Sequence, residues 1–198
     1  MKHIIISILL ASIVTTFGQT NLPPSVTVNV RNVPLEDGSA VTYALLHIDG
    51  RQMGFEVPEN MLMHQYGTRI AMEDKGMRDN AGISVGVFTP VAIEGGSIKD
   101  TYISAITNQY AGVHITTEFT LTAGGHPGSA FDATYYRFGQ TYILRTVFVP
   151  VGGSIIQFQL TVVDSNFKKY KSIFNTVLVT FRDGQGGQVN IPKFSSKL

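Results

Sequence analysis

The chain of 198 residues contains no cysteine and no tryptophan. Without thiols it can build no disulfide framework, thiolate zinc site, cysteine nucleophile or lipid anchor on an N-terminal Cys. Charged residues are scarce at 15%, while hydrophobic residues supply 43%. That is too little charge for a disordered chain and enough apolar material for a core. The 20 glycines and 8 prolines follow no collagen period, and no repeat of solenoid length is visible. The length suits one domain rather than two.

The apolar run at the start, Ile4 to Val14, is well short of the ~18 residues that span a bilayer. Lys2 and His3 precede it, and Thr16 and Gly18 supply small residues before Gln19. This order predicts a secretory signal peptide over 1–18, export to the periplasm or beyond, and no membrane insertion once the leader is removed. Loss of Lys2 with the leader leaves 14 basic against 14 acidic residues. A general attraction to nucleic acid is therefore not indicated. The balance is uneven, because 8 basic and 13 acidic side chains lie between Thr20 and Phe167, whereas Lys168 to Leu198 holds 6 basic residues and only Asp183.

Alternating and β-branched segments predict strands at Val26–Val30, Ala40–Ile48, Met53–Val57, Arg69–Met72 and Ile83–Phe88, with Asp49-Gly50 as a hairpin turn. The segment 58–67 matches no pattern. Ser97, with Asp100 three residues later, predicts the start of a helix over 97–111, with Ile98, Tyr102, Ile106 and Tyr110 on one stripe and Gly112 as its cap. A meander follows over His114–Thr122, Ser129–Phe138, Thr141–Val149 and Ser154–Val163, whose short turns force antiparallel neighbours. A second helix over 165–182, capped by Asp164 or Ser165, carries Phe167, Tyr170, Ile173, Phe174, Val177, Leu178 and Phe181 on one face. The expectation is an α+β fold: an antiparallel sheet of about six or more strands packed by these two helices, in one domain over 25–182. An extra N-terminal β segment (25–50) opens it, and a flexible polar tail (183–198) follows.

Between Gly54 and Arg182 the chain resembles the PsbP-like proteins, a superfamily that includes the photosystem II extrinsic subunit, the DcrB-like and LpqN-like envelope proteins and the Ran-binding Mog family. The likeness is carried by Gly54-Phe55-Glu56-Val57-Pro58 as an entry strand, the helix after Ser97, the hairpin Gly125-His126-Pro127-Gly128-Ser129-Ala130 and the terminal helix ending at Val177 to Arg182. The Trp that often follows the entry proline in such proteins is absent here. The resemblance implies a central antiparallel sheet between helices, an accessory or binding role, and no catalytic residue.

Chemistry-bearing patterns are few. The glycines at 124–128 lie between two strands and those at 184–187 follow a helix, so neither forms a phosphate loop. His47, His64, His114 and His126 lack the close spacings of zinc motifs. Strand alternation would put His114, Thr116 and Glu118 on one face, two ligands where a catalytic zinc needs three. Glu73, Asp74, Asp79, Glu94 and Asp132 are the carboxylates available for acid and base work, and Asp132 reads as an outward-facing sheet residue. No catalytic, cofactor-binding or metal-binding residue is assigned. On the second helix Lys168, Lys171 and Arg182 project as one outward stripe, a positive patch on an otherwise acidic chain and the expected contact for a protein partner. The leading expectation is an exported, non-enzymatic accessory protein of the PsbP-like type. The alternatives are a small-ligand module using a groove between sheet and helix, and a hydrolase in which two of His114, Glu118, Asp132 and Glu94 converge.

Overall fold

The computed structural model describes residues 26–35, 37–48, 50–75, 81–88, 97–184 and 188–189. The expected signal peptide lies outside the described residues, as do Asp49, Asp79, Glu94 and most of the tail.

Two antiparallel sheets form rather than one. β1 (Val26–Pro34), β2 (Ala40–Ile48) and β3 (Arg51–Val57) make consecutive hairpins, and the short β11 (Arg182–Asp183) adds to the free side of β3. The N-terminal β segment is thus half of a separate four-stranded sheet. The second sheet has seven strands in the order β4-β5-β6-β10-β9-β8-β7. They are β4 (Met61–Tyr66), β5 (Arg69–Asp74), β6 (Gly82–Phe88), β7 (His114–Ala123), β8 (His126–Arg137), β9 (Gln140–Val151) and β10 (Ser154–Val163). β4 occupies the segment that matched no pattern. Only Met61 of its residues is buried, so alternation leaves little trace in the sequence.

α1 (Ile98–Gln109) and α2 (Phe167–Thr180) lie on opposite faces of the seven-stranded sheet. Ser97 and Asp100 form the expected capping box, each side chain meeting the other residue's backbone N–H. The helix ends at an extended Tyr110, not at Gly112, which takes a left-handed φ of 69° in the turn beyond. α2 is shorter than 165–182. A 3-10 turn, Asp164–Asn166, precedes it, and neither Asp164 nor Ser165 caps it; the N-cap Asn166 makes no side-chain capping bond. At the far end Phe181 turns extended to bury its ring against Phe158, which delivers Arg182 and Asp183 to β3.

α2 is held from both sides. Tyr170, Phe174, Val177 and Leu178 are buried in one core with inward residues of β2 and β3 and with Ile83, Val85, Val147 and Phe158 of the larger sheet. The β7–β8 turn clamps its C-terminus: the Gly124 N–H donates to the Leu178 carbonyl at 2.9 Å, and a Cβ on Gly124 would lie 2.1 Å from the Phe181 oxygen. With φ at +56°, only glycine suits this position. Beyond the expected domain end, Gly184 N–H bonds the Gln52 carbonyl, and Val189 is buried with its N–H on Gln52 Oε1 at 2.7 Å.

Candidate functional site

The residues weighed for catalysis do not converge among the described part of the chain. A bulge between Ile115 and Thr117 breaks the alternation of β7. Ile115 packs with the α1-side cluster, whereas Phe119 and Leu121 pack on the α2 side. The extra residue shifts the phase, so His114 and Glu118 point to opposite faces instead of sharing one. Glu118 pairs with Lys99 of α1, and Thr116 Oγ1 donates to the Asp132 carbonyl. Asp132 is not outward-facing. It accepts a fork of two bonds from Arg145, Nε to Oδ1 at 2.8 Å and Nη2 to Oδ2 at 2.6 Å. The Arg145 guanidinium lies between the rings of Phe119 and Phe167, at 4.9 and 5.0 Å. Among the described residues no three His, Asp or Glu side chains are placed to hold a metal ion, and no helix is long and apolar enough to cross a membrane.

Gly82-Ile83-Ser84-Val85-Gly86 has the spacing of a serine nucleophile turn. That chemistry needs a sharp bend exposing the hydroxyl, but Ser84 sits mid-strand in β6, 2% exposed, opposite Gln159 of β10 and Ala71 of β5. The pentapeptide is a strand whose small residues let the α1-side face carry other groups. Those groups form a buried polar layer that periodicity does not reveal. Tyr102 Oη and Thr146 Oγ1 are 2.8 Å apart, Gln159 Nε2 donates to the same Thr146 oxygen at 3.3 Å, and Arg69 Nη2 donates to Gln157 Oε1 at 3.2 Å. Burial lowers the Arg69 pKa to about 10 and raises that of Tyr110 to about 12. The sequence signal was present in Arg69, Glu73, Gln157 and Gln159, polar residues at alternate strand positions where burial needs partners.

Lys168 and Lys171 stand exposed on the outer side of α2, with Asn175 also exposed and Val179 bare beyond it. Arg182 does not continue this helical stripe. It lies in β11, and its Nη1 donates to the carbonyls of Val179 and Phe181, both at 2.7 Å, satisfying orphan acceptors at the helix end.

The described residues form a cleft of about 490 Å³ between the rims of the two sheets, not in the groove between sheet and helix that the ligand reading expected. Val30 and Val41 line one wall, Met61, Leu62 and Met63 the other, and Glu56, Glu59 and Lys75 supply charge. Glu56 lies in β3, and its backbone N–H donates to Thr180 Oγ1 at the end of α2, at 3.0 Å. Desolvation, and secondly the neighbouring Glu59, hold its carboxyl above the usual range. The turn into β4 places Asn60 at φ 64°, and its carbonyl receives the Lys75 N–H at 2.8 Å.

No protein-family model matches the chain, and no curated protein matches it. Solved structures similar to it include the Ran-binding protein Mog1p of Saccharomyces cerevisiae, 10% identical over 79% of this chain and 96% of that one, with a TM-score of 0.48. Cyanobacterial PsbP (CyanoP) of Synechocystis is 16% identical over 83% and 95%, with a TM-score of 0.45. LpqN of Mycobacterium tuberculosis, described as involved in cell envelope biogenesis, is 15% identical over 79% and 91%, with a TM-score of 0.40. These are structures of the PsbP-like and Mog1 kind, and no residue role is carried over from them.

Proposed function

We propose that this chain is an exported, non-enzymatic accessory protein that engages a protein partner in the cell envelope or outside the cell. The observation that carries the reading is the placement of Lys168 and Lys171. Both are exposed on a helix whose opposite side is locked between two sheets, and neither takes part in the salt bridges among the described residues. Two unspent cations on a rigid platform favour encounter with an acidic surface, and the acidic excess of the rest of the mature chain gives that patch contrast. Arg182 adds a third positive group at the end of the helix while holding its last carbonyls. The carboxylates weighed for hydrolysis support the same side of the argument, since Asp132 and Glu118 are each committed to a cation.

Two experiments test it. With the mature chain as bait in its native envelope fraction at low salt, one acidic protein should be retained and then released as salt rises, because exposed charge contacts are screened. Retention of nothing, or of the same proteins by a bait of unrelated sequence, contradicts the partner claim. N-terminal sequencing of the native protein should begin near Gln19, and a chain that still begins at Met1 contradicts export.

A further inference from the structure

The cleft between the sheet rims lies outside the basic stripe, and its construction points to an occupant of its own. β1 is the outer strand of the four-stranded sheet and β4 the outer strand of the seven-stranded one. The two approach at one end, where Gln65 Nε2 of β4 donates to the Val26 carbonyl of β1 at 3.2 Å. Towards Val30 and Leu62 the rims part and the cleft opens. These two apolar side chains are 54% and 40% exposed. Among the described residues each outer strand has a partner strand on one side only, so each presents a row of backbone donors and acceptors on the other. The residues lining it include two carboxylates, Glu56 and Glu59, and one cation, Lys75.

We infer that this cleft receives an extended peptide segment of another protein, apolar at alternate positions and bearing a lysine or arginine. Each property answers one feature. Extended backbone is what an open strand edge pairs with, and alternate side chains of an added strand fall on the same side. Apolar side chains on one side of the added strand would cover Val30 and Met63, and those on its other side would meet Leu62. A cationic group would rest beside Glu56 and Glu59, relieving the desolvation and repulsion that the Glu56 carboxylate now bears. A peptide carrying a carboxylate there would add a third negative charge, so the cleft selects by sign as well as by shape.

The test uses a fluorescent acetyl-Val-Thr-Val-Lys-Val-Thr-amide as probe, the same peptide with Glu in place of Lys, and octylamine, which has the apolar body and the cation but no backbone. The lysine peptide should bind the full chain, and the glutamate peptide should bind about tenfold more weakly, the loss expected from one misplaced charge. Glu56→Gln with Glu59→Gln should remove most of that discrimination, whereas Lys168→Glu with Lys171→Glu should leave it unchanged, so this inference and the stripe fail separately. In amide exchange the probe should protect N–H groups within Val26–Pro34 or Met61–Tyr66. Equal binding of both peptides, or no binding of either, overturns the inference. Binding of octylamine with the same dependence on Glu56 and Glu59 but no amide protection also overturns it, assigning the cleft to a small amphiphilic amine.

Discussion

The two faces of the seven-stranded sheet are covered in different ways. On one face, inward residues such as Val85, Val147 and Phe158 meet α2, which meets β2 and β3 in turn, so three layers share one apolar core. On the other, α1 covers only the β8–β9 half through Tyr102, Ile106 and Tyr110 on Phe131, Tyr135 and Phe148, and the β5–β6–β10 half buries Arg69, Ser84, Gln157 and Gln159. The first face is held by area removed from water. The second depends on each polar group finding a partner, a cohesion that is smaller per contact and more sensitive to a single loss.

The sharpest way to break this contrast is to cut the apolar core. Phe174→Ala should cost about 3–5 kcal/mol in denaturant melts, because its ring is fully buried between two sheets and the cavity cannot collapse. A loss below ~1 kcal/mol would mean that α2 is not clamped. Asp132→Ala sharpens the comparison from within the α2 side. It strands Arg145, 7% exposed, without its carboxylate and should cost about 3 kcal/mol, whereas adding Arg145→Met should recover most of the loss. A double variant no more stable than the single one would show that the guanidinium packing on Phe119 and Phe167, rather than charge, matters.

Across the sheet, Tyr102→Phe removes one hydroxyl from the Thr146 and Gln159 set and should cost about 1 kcal/mol. A cost equal to that of Phe174→Ala would erase the distinction between the faces. The smallest effect belongs to the cleft. Glu56 has its carboxyl pKa raised on folding, so its charged form opposes the folded state at neutral pH. Glu56→Gln should therefore stabilise the chain by about 0.3 kcal/mol at pH 7. The gain should shrink as pH falls towards the ordinary glutamate value of 4.5, where the native carboxyl also becomes neutral. A gain that grows on acidification would contradict that sign.

What was legible in the sequence follows the same division. Phe167 through Phe181 mark the buried side of α2 because a helix against an apolar layer must repeat its large residues at helical spacing, and the meander β7–β10 shows in its short turns. The boundaries of α2 were less legible: Phe181 leaves the helix for a tertiary reason, the ring of Phe158 and the β3 edge, that no local signal carries. The division into two sheets left little trace, because β11, the last strand of the smaller sheet, is two residues long and β4, the edge of the larger one, buries only Met61. A one-residue bulge after Ile115 defeated the shared face expected of His114 and Glu118, since period-two reasoning holds only while the ladder is regular. Of the candidate partner residues, Lys168 and Lys171 lie where helical projection puts them, and Arg182 does not.

Lys168 and Lys171 are proposed to carry the encounter with a partner. The most direct test compares the native chain with a Lys168→Glu, Lys171→Glu variant in partner capture across a salt titration. Both side chains are exposed, so the variant should fold and melt as the native chain does. The variant should lose most capture at low salt, and its remaining binding should no longer fall as salt rises. A folded variant with unchanged capture and unchanged salt dependence would contradict it.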